Sequence, residues 1–171
     1  NTAPQIFFNY TNNTFNAAIF AVTPVENNTR ANFVVTFNVT DADGAANIVD
    51  SSASANISLN TSFSSNNNSA NCRLVYTDTG TNGKGFECTI AVAYYFNATG
   101  AWKINATVSD AAGVLAYNST LNVTINALSA FRTEKNQHSV STSTGSTNVE
   151  LTVNINNTGN TRFNFVNLTP Y

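Results

Sequence analysis

Three aspartates occupy positions at which they could bind a cation. Asp41 and Asp43 lie in the segment DADG and Asp110 lies in DAAG, and each segment directly follows a run of alternating apolar residues. If both runs end at the same end of a sandwich, the carboxylates converge, and with carbonyls and water they supply the about six to eight oxygen ligands that calcium takes. The alternative is turn formation, because Asp and Gly favour tight turns in which the carboxylate accepts backbone hydrogen bonds.

The other reactive residues argue against catalysis and against several partners. His138 is the only histidine, it lies in a polar stretch, and no Gly-X-Ser-X-Gly turn occurs, so we expect no enzyme. Two cysteines and one histidine fall short of the four ligands of a structural zinc site. A net charge of -2 offers no basic surface to nucleic acid, and no apolar run approaches the roughly 18 residues of a membrane-spanning helix.

Acceptor motifs for N-glycosylation, Asn-X-Ser/Thr, are frequent. The chain has 30 Asn, 24 Thr and 15 Ser, a composition that produces about seven such motifs by chance. It contains 13: Asn9, Asn12, Asn27, Asn38, Asn56, Asn60, Asn67, Asn97, Asn105, Asn118, Asn122, Asn156 and Asn167. The excess predicts covalent N-glycans on an extracellular or cell-surface protein, whereas the alternative is that polar strand faces produce the motif by accident.

The period of two in the apolar runs predicts which way these acceptors face. In residues 33–39 the apolar side chains occupy the odd positions, which puts Asn38 on the opposite face. The same phase puts four further acceptors opposite the apolar residues of their strands: Asn56, Asn60, Asn105 and Asn122. We therefore expect all of them to face solvent, with Asn38 in one sheet and Asn105 and Asn122 in the other.

Low charge fits the same interpretation. Charged residues make up only 9% of the chain, against about 25% in an ordinary soluble domain. Attached glycans would supply the solubility that charge supplies in other proteins.

The two cysteines, Cys72 and Cys88, lie symmetrically about the sequence TDTGTNGKG, whose Asn82-Gly83 pair is typical of a hairpin turn. Thiols that face each other across paired strands would form a disulfide. In the chain-entropy description, closing this loop stabilises the fold by about 3 kcal/mol. The alternative, two free buried thiols in a cytosolic protein, conflicts with the glycosylation motifs.

Nearly every apolar run alternates with period two, which predicts an all-β chain. We predict strands at residues 6–10, 18–25, 31–41, 52–60, 72–77, 86–96, 101–109, 117–127, 148–156 and 161–168. The short, regularly spaced strands of residues 1–127 indicate one two-sheet sandwich.

After residue 127 the pattern changes. Residues 128–147 are expected to form a polar linker, and residues 148–171 a β-hairpin about the turn Asn157-Thr158-Gly159-Asn160. Its alternating apolar residues are Val149, Leu151, Val153, Ile155, Phe163 and Phe165. Since a lone hairpin is marginal in water, this face must be covered by the sandwich, by a neighbouring subunit, or by more of a second β domain.

Two segments resemble a known type of extracellular repeat. FVVTFNVTDADGAANI (33–48) and YYFNATGAWKINATVSDAAG (94–113) are similar to strands of polycystic-kidney-disease-type and related immunoglobulin-like repeats. The chain as a whole resembles archaeal cell-surface glycoproteins and extracellular filament subunits built on such sandwiches. The resemblance implies an immunoglobulin-like two-sheet sandwich with an extra N-terminal strand and a C-terminal β-hairpin. Unlike an antibody domain, the chain has its Trp102 after both cysteines.

These expectations combine into a functional hypothesis. Sugars on both outer faces would restrict protein contacts to strand edges and sandwich ends, and an edge can accept a strand from another chain. Two segments are suited to donate one: residues 1–12, with Ile6, Phe7 and Phe8, and the hairpin after residue 147. We expect a homopolymeric extracellular filament, because a head-to-tail contact does not close on itself.

Two other hypotheses remain open at this point. Both ends could fold back onto their own sandwich, which would leave a monomeric stalk module of a larger surface protein. The second hypothesis is a carbohydrate-binding adhesive module. Its sugar-stacking surfaces would be aromatic side chains: Tyr94, Tyr95, Trp102 and Tyr117.

Overall fold

Alternating apolar residues form strands along most of the chain. The computed structural model describes residues 1–8, 20–26, 30–59, 68–134 and 139–164. The strands within them are β1 (Gln5–Phe8), β2 (Phe20–Val22), β3 (Ala31–Thr40), β4 (Ser54–Leu59), β5 (Asn68–Asn71), β6 (Arg73–Asp78), β7 (Gly83–Val92), β8 (Trp102–Ser109), β9 (Leu115–Ile125), β10 (Phe131–Thr133) and β11 (Ile155–Asn157). Two 3₁₀ turns, Ala45–Asn47 and Asp50–Ser52, lie between β3 and β4. The prediction of an all-β chain is confirmed.

Strands β1 to β9 form two sheets. The four-stranded sheet has the order β1-β3-β7-β6 and is antiparallel throughout. The five-stranded sheet has the order β2-β9-β8-β4-β5, in which only β2 and β9 pair in parallel. One apolar core contains residues of both sheets, so they form a β-sandwich.

The apolar side chains on one face of the strands pack together to form the core. Every second residue of β3 from Phe33 to Val39 is buried, and Phe37 packs on Phe86 of β7 with 5.6 Å between ring centroids. In β8, Trp102 is 1% exposed and stacks on Phe96 at 4.8 Å. Burying a side chain of this kind is worth about 1.5–3 kcal/mol, so the period-two pattern decides which face turns inward.

A disulfide joins Cys72 to Cys88, as the sequence predicts, with 4.3 Å between their Cα atoms. Cys72 lies between β5 and β6, where the chain leaves the five-stranded sheet for the four-stranded one. Its backbone N–H still donates to Ala53 O at 3.1 Å beside β4, while its sulfur bonds to β7. The disulfide therefore fastens the crossing between the two sheets.

The ammonium group of Lys84 also connects distant parts of the chain, since it joins β7 to the segment between β3 and β4. This residue of β7 is 9% exposed, and its Nζ donates to Ile48 O at 2.8 Å and to the Asp50 carboxylate. A buried ammonium without partners would be costly, so these contacts hold the segment between β3 and β4 against β7. No motif in the sequence indicates this ion pair.

The C-terminal region differs from the predicted hairpin. Strand β11 pairs antiparallel with β10, which lies inside the expected linker, and among the described residues it does not pair with 161–164. Within the described part of this region, neither 148–154 nor 158–164 contains a strand. Residues 165–168 of the predicted second strand lie outside the described residues.

The turn after β11 explains this difference, because it docks on the segment that follows β9. A Cβ on Gly159 would lie 2.1 Å from Leu128 O, so the backbones meet closely there. The Asn160 side chain accepts from Leu128 N at 2.7 Å and donates to Asn126 O at 3.0 Å and Phe96 O at 2.9 Å. These contacts attach residues 157–161 to the end of the sandwich. The turn of the predicted hairpin would not have made them.

Candidate functional site

The three aspartates do converge on one end of the sandwich. Asp41 follows β3, Asp110 follows β8, and Ala111 N donates to Asn47 O at 2.8 Å between these segments. The carboxylate of Asp41 accepts from Asp43 N at 2.8 Å and from Asn47 Nδ2 at 3.1 Å. Amide donors thus occupy the oxygens that a cation would need.

Asp110 is held in the same way. Its Oδ1 accepts from Val114 N at 2.8 Å and its Oδ2 from Asn1 Nδ2 at 2.8 Å. Desolvation raises the pKa of Asp110, but the hydrogen bonds from Asn1 and the backbone together outweigh it, so the pKa is lowered.

Neither calcium binding nor acid–base chemistry gains support at this end of the sandwich. The described residues contain no group of three His, Cys, Asp or Glu side chains placed to hold a metal, which favours the turn interpretation of Asp41, Asp43 and Asp110. A cleft of about 310 Å³ opens beside Asp41. Asp41 is the one ionisable side chain among the described residues that line it, so the cleft offers no pair of carboxylates.

The glycosylation acceptors are distributed over both sheets, as predicted. Asn38 lies in β3 of the four-stranded sheet, whereas Asn105 and Asn122 lie in β8 and β9 of the five-stranded sheet. Asn122 is exposed, and so are Asn97 and Asn156. Acceptors outside the described residues are Asn9, Asn12, Asn27, Asn60, Asn67 and Asn167.

The expectation that Asn105 faces solvent is wrong. Its side chain points away from the core but is only 6% exposed, and it stands directly opposite Asn56 of β4. The Oδ1 atoms of both residues are buried without a hydrogen-bond partner. The strand phase predicts the side of the sheet on which a residue lies, but it does not predict what covers that side.

Other acceptors differ in accessibility and in whether the side-chain nitrogen that would carry a sugar already donates a hydrogen bond. Asn118 is partly buried, and its Nδ2 donates to Ile6 O at 2.7 Å. At Asn97, the Oδ1 accepts from the backbone N and the Oγ1 of Thr99, both at 2.9 Å, in an exposed turn. The Asn97 motif is therefore accessible, whereas a sugar on Asn118 would displace a contact between β9 and β1.

The expected subunit-contact residues fall into two groups. At the N-terminal end, Ile6 and Phe8 are buried in the chain's own core, and Phe7 between them is 50% exposed. At the C-terminal end, Val149 and Leu151 are 43% and 51% exposed, while Val153 and Ile155 are partly buried. Phe163 contacts Phe131 at 5.8 Å. Phe165 lies outside the described residues.

The aromatic residues considered for carbohydrate stacking are not gathered on one surface. Trp102 is buried, and its Nε1 donates to Asn97 O at 2.8 Å, so it offers no ring face to a ligand. Tyr95 and Tyr117 are exposed, and Tyr94 packs edge-on against Tyr95.

No protein-family model, no curated protein and no solved structure matches this chain. Among the described residues there is no helix with the length and hydropathy to cross a membrane.

Proposed function

We propose that this chain is a structural subunit of a secreted, N-glycosylated extracellular filament, in which its C-terminal segment donates a β-strand to the next subunit. We also propose that the sandwich is immunoglobulin-like. The two strand orders support this, because an immunoglobulin-like sandwich has its strands A, B, E and D in one sheet and its strands C, F and G in the other. Strands β1, β3, β7 and β6 correspond to the first set, and β4, β8 and β9 correspond to the second.

One observation carries the proposal of strand donation. Residues 149–155 have the apolar alternation of a strand, yet residues 149–154 form none, and Val149 and Leu151 stay exposed. Burying one such side chain is worth about 1.5–3 kcal/mol, and a backbone outside any strand also needs partners for its donors and acceptors. Insertion beside an edge of another subunit satisfies both needs.

The outer edge of β6 is the acceptor that fits this segment best. β6 (Arg73–Asp78) is an edge of the four-stranded sheet and is six residues long, the same length as the segment 149–154. Its Leu74 and Val75 are both exposed. An added strand would cover these apolar side chains together with those of the donor.

Secretion and glycosylation rest on separate observations. A disulfide and 13 acceptor motifs in a chain with 9% charged residues are typical of an extracellular glycoprotein. The exposed acceptors Asn97 and Asn122 lie on the surface of the sandwich, where a glycan needs no rearrangement of the fold.

The alternative function is a monomeric stalk module of a larger cell-surface protein. Two contacts favour it: β1 fills its own core through Ile6 and Phe8, and residues 157–161 dock on their own sandwich. In such a module Val149 and Leu151 would pack on a following domain and not on another subunit.

Electron microscopy and sedimentation of variants test strand donation. The double variant Val149→Lys/Leu151→Lys should melt like wild type, because exposed substitutions change stability by about 0.5 kcal/mol or less, but it should form no filaments. Val140→Lys is the matched control, since Val140 is 50% exposed in the same irregular region but outside the alternating pattern. Filaments formed by the double variant would refute donation by this segment, and a wild-type chain that stays monomeric would favour the stalk module.

A further inference from the structure

We propose that a glycan on Asn38 is held by its first sugar against the outer face of the four-stranded sheet, on a platform made by Phe7 and Tyr76. The inference rests on the N-glycosylation in the proposed function but not on filament assembly. Its basis is a row of four residues that the strand register brings side by side: Phe7, Asn38, Gly85 and Tyr76.

The register places both aromatic side chains on the face that carries Asn38. Phe7 of β1 is directly opposite Asn38 of β3, and directly opposite residues have Cβ atoms about 4.5–5.5 Å apart. Phe7 is 50% exposed, while its neighbours Ile6 and Phe8 point into the core. A large apolar ring therefore stands in solvent beside the acceptor.

Tyr76 reaches Asn38 from the other side. Its ring lies over Gly85 of β7, where a Cβ would be 2.1 Å from the Tyr76 Cε1 atom. Only glycine leaves space for this position of the ring. The Tyr76 hydroxyl then donates to Asn38 Oδ1 at 2.6 Å, and the ring stays 44% exposed.

This hydrogen bond is compatible with sugar attachment. In glycosylation, Asn38 Nδ2 bonds to C1 of the sugar and loses one proton, while the C1–O bond to the phosphate of a lipid-linked donor breaks and the phosphate leaves. Oδ1 remains a carbonyl-type acceptor, so the bond from Tyr76 survives and fixes the plane of the amide. The sugar thus begins at a fixed angle between two aromatic groups.

The acceptor Asn122 has a different neighbour across its strand pair and provides an internal control. Asn122 stands opposite Lys103 in β8. A sugar there meets a hydrated cationic side chain, whereas the apolar C–H face of a sugar at Asn38 can lie on Phe7 and displace water from it.

A thermodynamic cycle tests the platform. The full chain is made in a host that N-glycosylates secreted proteins, and occupancy of Asn38 and Asn122 is measured by glycopeptide mass spectrometry. Thr40→Val removes the Asn38 acceptor motif without changing Asn38, and Phe7→Ser removes the ring. We expect Thr40→Val to raise the unfolding equilibrium constant by a factor of roughly three to ten in the wild-type background, and by a smaller factor in the Phe7→Ser background, where only the Tyr76 side remains.

Thr124→Val, which removes the Asn122 motif, is the matched control and should have the same effect in the wild-type and Phe7→Ser backgrounds. Tyr76→Phe keeps the ring but removes the hydroxyl, and it should reduce the coupling without abolishing occupancy. Equal effects of Thr40→Val in both backgrounds, or an unoccupied Asn38 beside an occupied Asn122, would overturn the platform while leaving the filament proposal intact. Absence of sugar from every acceptor would overturn the glycoprotein proposal as well.

Discussion

Gly159→Ala should detach the C-terminal segment from the sandwich. The added Cβ would lie 2.1 Å from Leu128 O and 2.8 Å from Ala130 N, both of which are backbone atoms that cannot rotate away. The φ of Gly159 is outside the left-handed region, so the requirement for glycine at this position is one of space.

The cost follows from the contacts that must break together. Thr158 N donates to Ala130 O at 3.0 Å, Asn160 N donates to Leu128 O at 2.9 Å, and the Asn160 side chain makes three further hydrogen bonds. Each of these hydrogen bonds is worth about 0.5–1.5 kcal/mol, and water replaces some of them when the segment opens, so undocking costs the wild type about 3 kcal/mol. If the clash removes this stabilisation, the variant should populate the open state about 100-fold more.

Hydrogen exchange measures this directly. The amides of Thr158 and Asn160 should exchange about 100-fold faster in Gly159→Ala, while those of the core strands keep their rates. Gly80→Ala is the control, because a Cβ there meets only the Asp78 side chain, at 3.3 Å. Unchanged exchange at Asn160 in the variant would refute the argument from close approach.

Three further results are expected. Cys72→Ala/Cys88→Ala should lower the free energy of unfolding by about 3 kcal/mol in urea titrations, and an unchanged midpoint would contradict the cross-link argument. Because the folded pKa of Asp110 is depressed, its charge stabilises the fold above the unfolded value of about 3.9, and this contribution disappears as the pH falls through the folded pKa. Asp110→Asn should therefore lose less stability than wild type between about pH 5 and about pH 2, and parallel pH curves would contradict this assignment. In glycopeptide maps of the native protein, Asn122 should be occupied and Asn105 empty, since only Asn122 is exposed; full occupancy of Asn105 would show that its surroundings open.

Local patterns predicted the features that depend on neighbouring residues. The alternation in residues 33–39 predicts both β3 and its buried face, because successive side chains of a strand point to opposite sides. The symmetry of Cys72 and Cys88 about one turn predicts their disulfide, because a hairpin brings residues at equal distances from its turn together. The runs that end at Asp41 and Asp110 likewise predict a shared end of the sandwich.

Contacts between distant segments were not accessible in this way. Strands 68–71 and 131–133 lack a marked apolar alternation and form because partners already stand beside them. The clean alternation of residues 149–155 predicts a strand, but residues 149–154 form none, since the turn at Gly159 docks on residues 128–130 and brings only residues 155–157 beside a partner. Local preference becomes a strand only where a second strand is in reach.

The sequence by itself determined that this chain is an all-β, disulfide-linked sandwich with acceptor asparagines on both sheets, because these properties follow from a period of two and from the distance to a turn. Only the tertiary structure decided that Asn105 is covered, that Lys84 is neutralised by Asp50, and that Tyr76 reaches Asn38 across Gly85. Each of these depends on which residues from elsewhere in the chain stand nearby, and burial and hydrogen bonding are set by those neighbours.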